Sequence, residues 1–183
     1  MPVYEFEGQR PRIGVNCYIH PEAVIIGDVD IGPECYIAPC AVLRGDLGSI
    51  IIGRGSNIQD NCTFHTYPGK KTILGERSHI GHGAILHSAV LGKHVTVGIG
   101  AIILDECEIG DESLVGAGTV LTPGTRIPPA SLVLGSPGKV VRTLNSTMNE
   151  QLNWGTDVYQ ELVGRYRVGL KKIEVKAITI SPR

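Results

Sequence analysis

A large apolar residue recurs every six residues along most of this chain, and this period constrains the fold more than any other feature. Between the anchors, small or β-branched side chains recur at a second fixed position of the repeat. The two unbroken runs of anchors are Ile13, Ile19, Ile25, Ile31, Ile37 and Leu43, then Leu91, Val97, Ile103, Ile109, Val115, Leu121, Ile127 and Val133. A fixed period of this kind predicts a solenoid, in which each repeat packs on its neighbours.

Each six-residue unit is predicted to be a short strand and a turn, which cannot bury its anchor alone. A helical solenoid is excluded because the apolar residues lack the i, i+3, i+4 recurrence of an amphipathic helix. The chain resembles hexapeptide-repeat proteins, which fold as left-handed parallel β-helices with three hexapeptides per coil. The predicted fold is therefore mainly β, a left-handed parallel β-helix followed by a C-terminal α-helix.

Three segments are predicted. Residues 1–145 form the β-helix domain, with residues 1–12 as an N-terminal lead-in. Residues 146–171 form a helix that packs on the solenoid, and we expect Gly155 to interrupt it, with Thr156 or Asp157 capping its second half. Residues 172–183 form a tail without a clear pattern.

Composition excludes several classes of function. The formal net charge of −1 gives no basic surface for nucleic acid or an anionic membrane. No apolar run approaches the roughly 20 residues that span a bilayer. The first residues lack the apolar segment of a secretory signal, so the expected compartment is the cytoplasm. Four of the five cysteines occupy the small inward position, whereas Cys40 is off that register and is expected to be more accessible.

Two insertions interrupt the period. Ile52 comes nine positions after Leu43, and Leu74 comes ten positions after Phe64, where a step of six would continue the repeat. We expect residues 46–49 and 67–71 to form loops at the corners of the coils. Insertions in repeat proteins often lie on the functional face.

Counting by coils of 18 residues brings two histidines together. With the second insertion allowed for, His65 and His87 each follow an anchor on adjacent coils, about 4.8 Å apart. Arg44 lies one coil below His65, and His82 lies on the preceding face, where it points away from the pair within one chain.

This arrangement predicts a metal site completed between chains. In a homotrimer of such prisms, His65 and His87 of one subunit can meet His82 of the next. Three neutral imidazoles with an open fourth position are typical of a catalytic Zn²⁺. By the same geometry Asp60, one coil below His82, should reach Arg44 of the neighbouring subunit, as a directional carboxylate–guanidinium pair.

The sequence around these residues resembles the gamma-class carbonic anhydrases. The matching segments are residues 43–46 (LRGD), 57–61 (NIQDN), His65 and 80–87 (IGHGAILH). The resemblance implies a homotrimer with interfacial Zn²⁺, or Fe²⁺ or Co²⁺ depending on supply. It also implies a lyase that hydrates carbon dioxide to bicarbonate, a small-molecule substrate.

The resemblance assigns further residues to roles. Gln59 would orient the attacking group, and Asn57 would line the pocket beside it. Arg44 and Asp46 would organise the interface, with Arg44 near enough to bind an anionic product. Tyr159, on the helix, would contribute to the same pocket.

The chain departs from this family at the residues that serve proton transfer. Founding members carry a glutamate directly after the aspartate, where this chain has Leu47, and a longer acidic loop where residues 67–71 are short and basic. Hydration is therefore expected to be weak. His20, His79 and His94 lie off the site columns and are predicted to be surface or turn residues.

Two alternatives are kept open at this point. One is a metal-dependent thioesterase-type hydrolase, because a metal-bound hydroxide also attacks acyl carbons. The other is a non-catalytic trimer that binds metal or serves as a scaffold. An acyltransferase is disfavoured, because such enzymes need one catalytic histidine rather than three matched ones.

Overall fold

The computed structural model describes residues 2–174, which contain twenty short strands and one helix. The elements are β1 (Val3–Tyr4), β2 (Arg12–Ile13), β3 (Tyr18–Ile19), β4 (Val24–Ile31), β5 (Tyr36–Ile37), β6 (Val42–Ile52), β7 (Asn57–Ile58), β8 (Thr63–His65), β9 (Lys71–Leu74), β10 (His79–Ile80), β11 (Ile85–His87), β12 (Val90–Leu91), β13 (Thr96–Val97), β14 (Ile102–Ile103), β15 (Glu108–Ile109), β16 (Leu114–Val115), β17 (Val120–Leu121), β18 (Arg126–Ile127), β19 (Ser131–Gly135), β20 (Gly138–Thr143) and α1 (Ser146–Gly169). Residues 175–183 of the predicted tail lie outside this range.

The strands stack in parallel, coil upon coil. One face runs through β3, β5, β7, β10, β13, β16 and β19, so the solenoid has about seven coils. β20 then turns back antiparallel on β19 and ends the repeat. The predicted mainly β fold, a left-handed parallel β-helix with a C-terminal helix, is confirmed.

The anchors fill the interior of the coils. Phe64, Ile58 and Leu86 are 0% exposed, like most of the residues that define the period. Small polar side chains at the second inward position bond along the solenoid: the Cys35 thiol donates to the Gly53 carbonyl at 3.2 Å, and the Ser56 hydroxyl to the Gly75 carbonyl at 3.1 Å. These two side chains therefore satisfy their buried donors on the adjacent coil, whereas the buried hydroxyl of Thr119 has no partner among residues 2–174. Cys40 is exposed, as expected.

The first insertion is not a loop, contrary to expectation. Residues 46–49 belong to β6, which stays extended around the corner and pairs with β8 at one end and β9 at the other. The neighbouring coil follows it closely, and a Cβ added at Gly45 would lie 2.5 Å from the Asp28 carbonyl oxygen. Glycine at this position lets two extended strands round the corner together. Residues 66–70 do form a connection, between β8 and β9.

The helix α1 is continuous through Gly155, so the expected interruption is wrong. Asn145 caps it, since its side chain accepts a hydrogen bond from the Met148 amide at 3.0 Å. The residues expected to act as an internal cap have other roles: Thr156 is buried, and Asp157 accepts from Arg77 at 2.5 Å. Contacts with the coils stabilise the helix across its glycine.

Polar residues of α1 meet successive coils along one corner of the solenoid. They are three or four residues apart, and one helical turn rises about 5.4 Å, close to the spacing of about 4.8 Å between coils. The contacts are Asn149 with Glu112, Asn153 with His94, Asp157 with Arg77, and Gln160 with the carbonyls of Gly55 and Glu34. This match of spacings fixes the helix in register against the coils. No helix within residues 2–174 is both long and apolar enough to cross a membrane.

Replacing Gln160 with leucine is expected to lower the free energy of unfolding by about 1–3 kcal/mol. Its Nε2 donates to the Gly55 carbonyl at 2.6 Å and to the Glu34 carbonyl at 3.1 Å, and both would lose their partner. Urea unfolding at matched protein concentration measures the loss. Gln151→Leu, at an exposed position of the same helix, is the control. Equal midpoints for the two variants would contradict the prediction.

Candidate functional site

His65 and His87 lie side by side on adjacent coils. β8 and β11 are paired in parallel with these two residues in register. His65 Nδ1 lies 3.1 Å from His87 Nε2, and the ring centroids are 5.1 Å apart. The period therefore places two imidazole nitrogens at one point on the outer face of the solenoid.

Each of these rings is held from behind by an aspartate. Asp46 Oδ1 lies 2.9 Å from His65 Nε2, and Asp105 Oδ1 lies 2.6 Å from His87 Nδ1. Arg44 donates to the other oxygen of Asp46 at 2.7 Å. Burial alone would raise the pKa of Asp46, but hydrogen bonds from Arg44 and His65 outweigh it and hold this pKa below its usual range. The carboxylate is therefore ionised at neutral pH.

The two nitrogens that face each other lie within hydrogen-bond distance, and their roles depend on the tautomer of each ring. In the tautomer in which each ring donates its proton to the aspartate behind it, a lone pair remains on His65 Nδ1 and on His87 Nε2. Two lone pairs at 3.1 Å repel unless a cation or proton lies between them. Ligands of a tetrahedral Zn²⁺, at about 2.0–2.1 Å each, are about 3.3 Å apart. The spacing of this pair fits a shared metal ion.

His82 lies at the next corner and takes no part in the pair. It follows β10, and its Nδ1 is 2.7 Å from Asp60 Oδ2. Within residues 2–174 of a single chain, no group of three histidine, cysteine, aspartate or glutamate side chains could hold a metal ion. A three-histidine site therefore needs His82 from a second chain. The predicted contact between Asp60 and the neighbour's Arg44 stays a prediction.

A second polar group lies beneath α1. Asn57 and Gln59 are 0% and 2% exposed, and Gln59 Nε2 donates to Asn57 Oδ1 at 3.1 Å. The same Nε2 lies 2.8 Å from His79 Nε2. Tyr159 covers the group from the helix, with its ring 5.3 Å from that of His79 and edge-on to it. The structure therefore brings together Asn57, Gln59 and Tyr159, which were predicted to contribute to the pocket. It adds His79, which was not.

The expectation that His79 is a surface or turn residue is wrong. It occupies an outward position of β10 that α1 covers, and burial, with a smaller effect of nearby His82, lowers its pKa to about 4. Only the docking of the helix buries it, and the local pattern carries no sign of that. His20 and His94 do lie in turns, where His20 Nδ1 accepts from the Glu22 amide and His94 has a φ of +53°.

Asp105 is the functional residue that the sequence reasoning missed. It lies 18 residues after His87, which is one coil of the solenoid. The counting that paired the histidines could have found it, had it been applied to carboxylates on the coil above.

Comparison with known proteins places this architecture among transferases. Residues 10–45 and 88–123 match a family model described as bacterial transferase hexapeptide (six repeats). The Carnitine operon protein CaiE of Escherichia coli K12 is 42% identical over 177 residues, 95% of this chain and 89% of that protein.

Two solved structures cover nearly the whole fold. One, from Bacillus cereus and titled as a candidate acetyltransferase, is 37% identical with a TM-score of 0.88, over 90% of this chain and 96% of that chain. The other, a hexapeptide transferase family protein from Anaplasma phagocytophilum, is 34% identical with a TM-score of 0.86, over 90% and 98%.

These relatives correct the predicted activity. The assignment as a lyase that hydrates carbon dioxide is wrong, because the matching family model and the two similar solved structures are named for group transfer. The resemblance to gamma-class carbonic anhydrases holds for the hexapeptide-repeat fold. Three clustered imidazoles predict where a reaction takes place, but they do not determine which electrophilic substrate reacts there. The departures at exposed Leu47 and at residues 67–71 agree with the correction, since proton export to solvent has no acidic carrier there.

Proposed function

We propose, from the premise that this chain belongs to the bacterial transferase hexapeptide family, that it transfers an acyl group from a thioester to a small acceptor. The acceptor is a hydroxyl or amine. Its oxygen or nitrogen bonds to the acyl carbon, the carbon–sulfur bond breaks, and the acceptor's proton passes to the departing thiol. The atoms balance without a further reactant.

One observation carries the location of the reaction centre. Of the six histidines, the three predicted as metal ligands are those backed by a carboxylate within the described part of the chain. The pairs are His65 with Asp46, His82 with Asp60, and His87 with Asp105. Metal-binding histidines characteristically donate their second ring nitrogen to such a carboxylate. The formal charge of the site also supports a metal ion. Three aspartates and Arg44 together carry a net charge of −2, which a divalent ion would balance.

The centre is proposed to lie between subunits of a homotrimer. His65 and His87 of one subunit and His82 of the next would hold Zn²⁺, or Fe²⁺ or Co²⁺. Such an ion supplies a Lewis acid that polarises the acyl carbonyl. The aspartates keep the rings in the tautomer that binds, and the amide of Gln59, which is hydrogen-bonded to Asn57, orients the acceptor.

A shallow cleft beside the pair supports binding of an anionic donor. It has a volume of about 620 Å³, and Ser88, the residue after His87, lies on its wall. Lys70, Lys71 and Arg126 line it together with two glutamates. Lys70 pairs with Glu106 and Arg126 with Glu108, so the net positive charge comes from Lys71. Acyl thioesters of coenzyme A carry phosphates that such a surface attracts.

The proposal is tested by thiol release. The purified protein is mixed with acetyl-coenzyme A and a panel of small amines and alcohols, and free thiol is followed with and without each acceptor. Acceptor-dependent release is expected, and mass spectrometry should find the acetylated acceptor. Thiol release that is independent of every acceptor would mean hydrolysis and would contradict acyl transfer.

A further inference from the structure

Both protons on the side-chain nitrogen of Gln59 point to neighbouring side chains. One proton of Nε2 is donated to Asn57 Oδ1 at 3.1 Å, and the other points to His79 Nε2 at 2.8 Å. The carbonyl oxygen Oε1 accepts no hydrogen bond from residues 2–174, and it is not among the fully buried atoms without a partner, so it keeps a small accessible area although the residue is only 2% exposed. The amide therefore has one unused function, an acceptor.

The imidazole of His79 determines this orientation. A neutral imidazole accepts at one nitrogen only and carries its proton on the other. Both ring nitrogens have an amide nitrogen within hydrogen-bond distance, Gln59 Nε2 at 2.8 Å from Nε2 and Asn57 Nδ2 at 3.3 Å from Nδ1, and we assign the hydrogen bond to the shorter contact. The ring proton then lies on Nδ1. A pKa lowered to about 4 keeps the ring neutral at pH 7, as an acceptor must be.

The ring of His79 is itself fixed by packing. His79 on β10 pairs with Asn57 on β7. The ring of Tyr159 is edge-on to the imidazole, with the two ring centroids 5.3 Å apart. The helix backbone is close, since a Cβ added at Gly155 would lie 3.8 Å from Cε1 of the ring. The imidazole is therefore a rigid support for the amide.

We propose that His79 is a positioning residue that turns the Gln59 amide so that Oε1 serves the acceptor substrate. A primary amide fits such a space either way round, and the two orientations present opposite hydrogen-bonding functions. With Nε2 held by His79, the exposed function accepts a hydrogen bond. The site then selects a molecule that brings an O–H or N–H, which is the nucleophile of acyl transfer. This last step rests on the proposed function.

Two variants of His79 test the proposal. His79→Phe keeps a flat ring under Tyr159 but removes the acceptor, whereas His79→Gln can place its own Oε1 near the position of Nε2. His79→Phe is expected to lower kcat/KM for the acceptor up to about tenfold, the worth of one neutral hydrogen bond, with the KM for the thioester unchanged. His79→Gln is expected to recover most of this loss. Wild-type rates in His79→Phe, or equal loss in two folded variants, would overturn the proposal.

A second measurement does not depend on the reaction. The ¹⁵N chemical shifts of the imidazole show which nitrogen carries the proton, and we expect Nδ1. The Gln59 side-chain NH₂ signals are expected to be protected from exchange in the wild type and in His79→Gln, and to lose protection in His79→Phe. A proton found on Nε2 would overturn the positioning role. Absence of acyl transfer with the expected spectra would overturn only the proposed function.

Discussion

Alanine in place of His87 is expected to lower the rate of acyl transfer more than about 100-fold and to remove transition-metal ions from the purified protein. The ring supplies one of the two nitrogens that lie 3.1 Å apart, and its loss leaves His65 as the only imidazole of the pair. A Lewis acid contributes several kcal/mol to such a reaction, and each 1.36 kcal/mol is a factor of ten. Steady-state kinetics and the metal content per chain, after purification without chelator, measure the two effects.

Two further variants provide a control and an intermediate effect for comparison with His87→Ala. His20→Ala, at a histidine far from the site columns, should retain wild-type metal and rate. Asp105→Asn removes the charge behind His87 and is expected to cost about 10–100-fold in activity or metal affinity. If His87→Ala keeps both its metal and its activity, the reaction centre lies elsewhere on the molecule.

Alanine in place of Phe64 is expected to lower the free energy of unfolding by about 3–5 kcal/mol. Phe64 is 0% exposed and lies between Leu43 and Leu86 of the adjacent coils, so its loss opens a cavity in the middle of the solenoid. A cavity there weakens the contacts of three coils at once. Denaturant unfolding at fixed protein concentration measures the change, because assembly would add its own contribution.

The chain supplies a matched control for this variant in its other phenylalanine. Phe6 is 39% exposed, near the N-terminus, and Phe6→Ala is expected to change stability by about 0.5 kcal/mol. A loss at Phe64 no larger than the loss at Phe6 would contradict the account of the core.

The arithmetic of the repeat predicted the neighbourhood of His65 and His87 because stacking fixes distances along the solenoid. Once three hexapeptides make a coil, residues one coil apart must lie about one strand spacing apart. The same rule places Asp105 one coil beyond His87, so this contact could also have been predicted from the sequence. His79 differs, because its burial depends on a helix that begins 67 residues later in the chain.

The chemistry was harder to predict than the geometry. The three histidines and their spacing predicted a metal site, and the resemblance to gamma-class carbonic anhydrases implied carbon dioxide hydration, whereas the similar solved structures are named for group transfer. The ligand set decides where an electrophile is activated, but the surrounding surface decides which one enters. That surface combines Lys70 and Lys71, at the second insertion, with Arg126 on β18, three coils away.

By itself the sequence determined the solenoid, because the period of six repeats the same local pattern of strand, anchor and turn. The resemblance to hexapeptide-repeat proteins added the coil length of three hexapeptides, and with it the columns in which side chains stack. Only the tertiary structure decided three features. β6 stays extended through residues 46–49, α1 runs unbroken across Gly155, and Gln59 is turned by His79. Each depends on contacts between segments far apart in the chain, and the free energy of those contacts overrides the local preference.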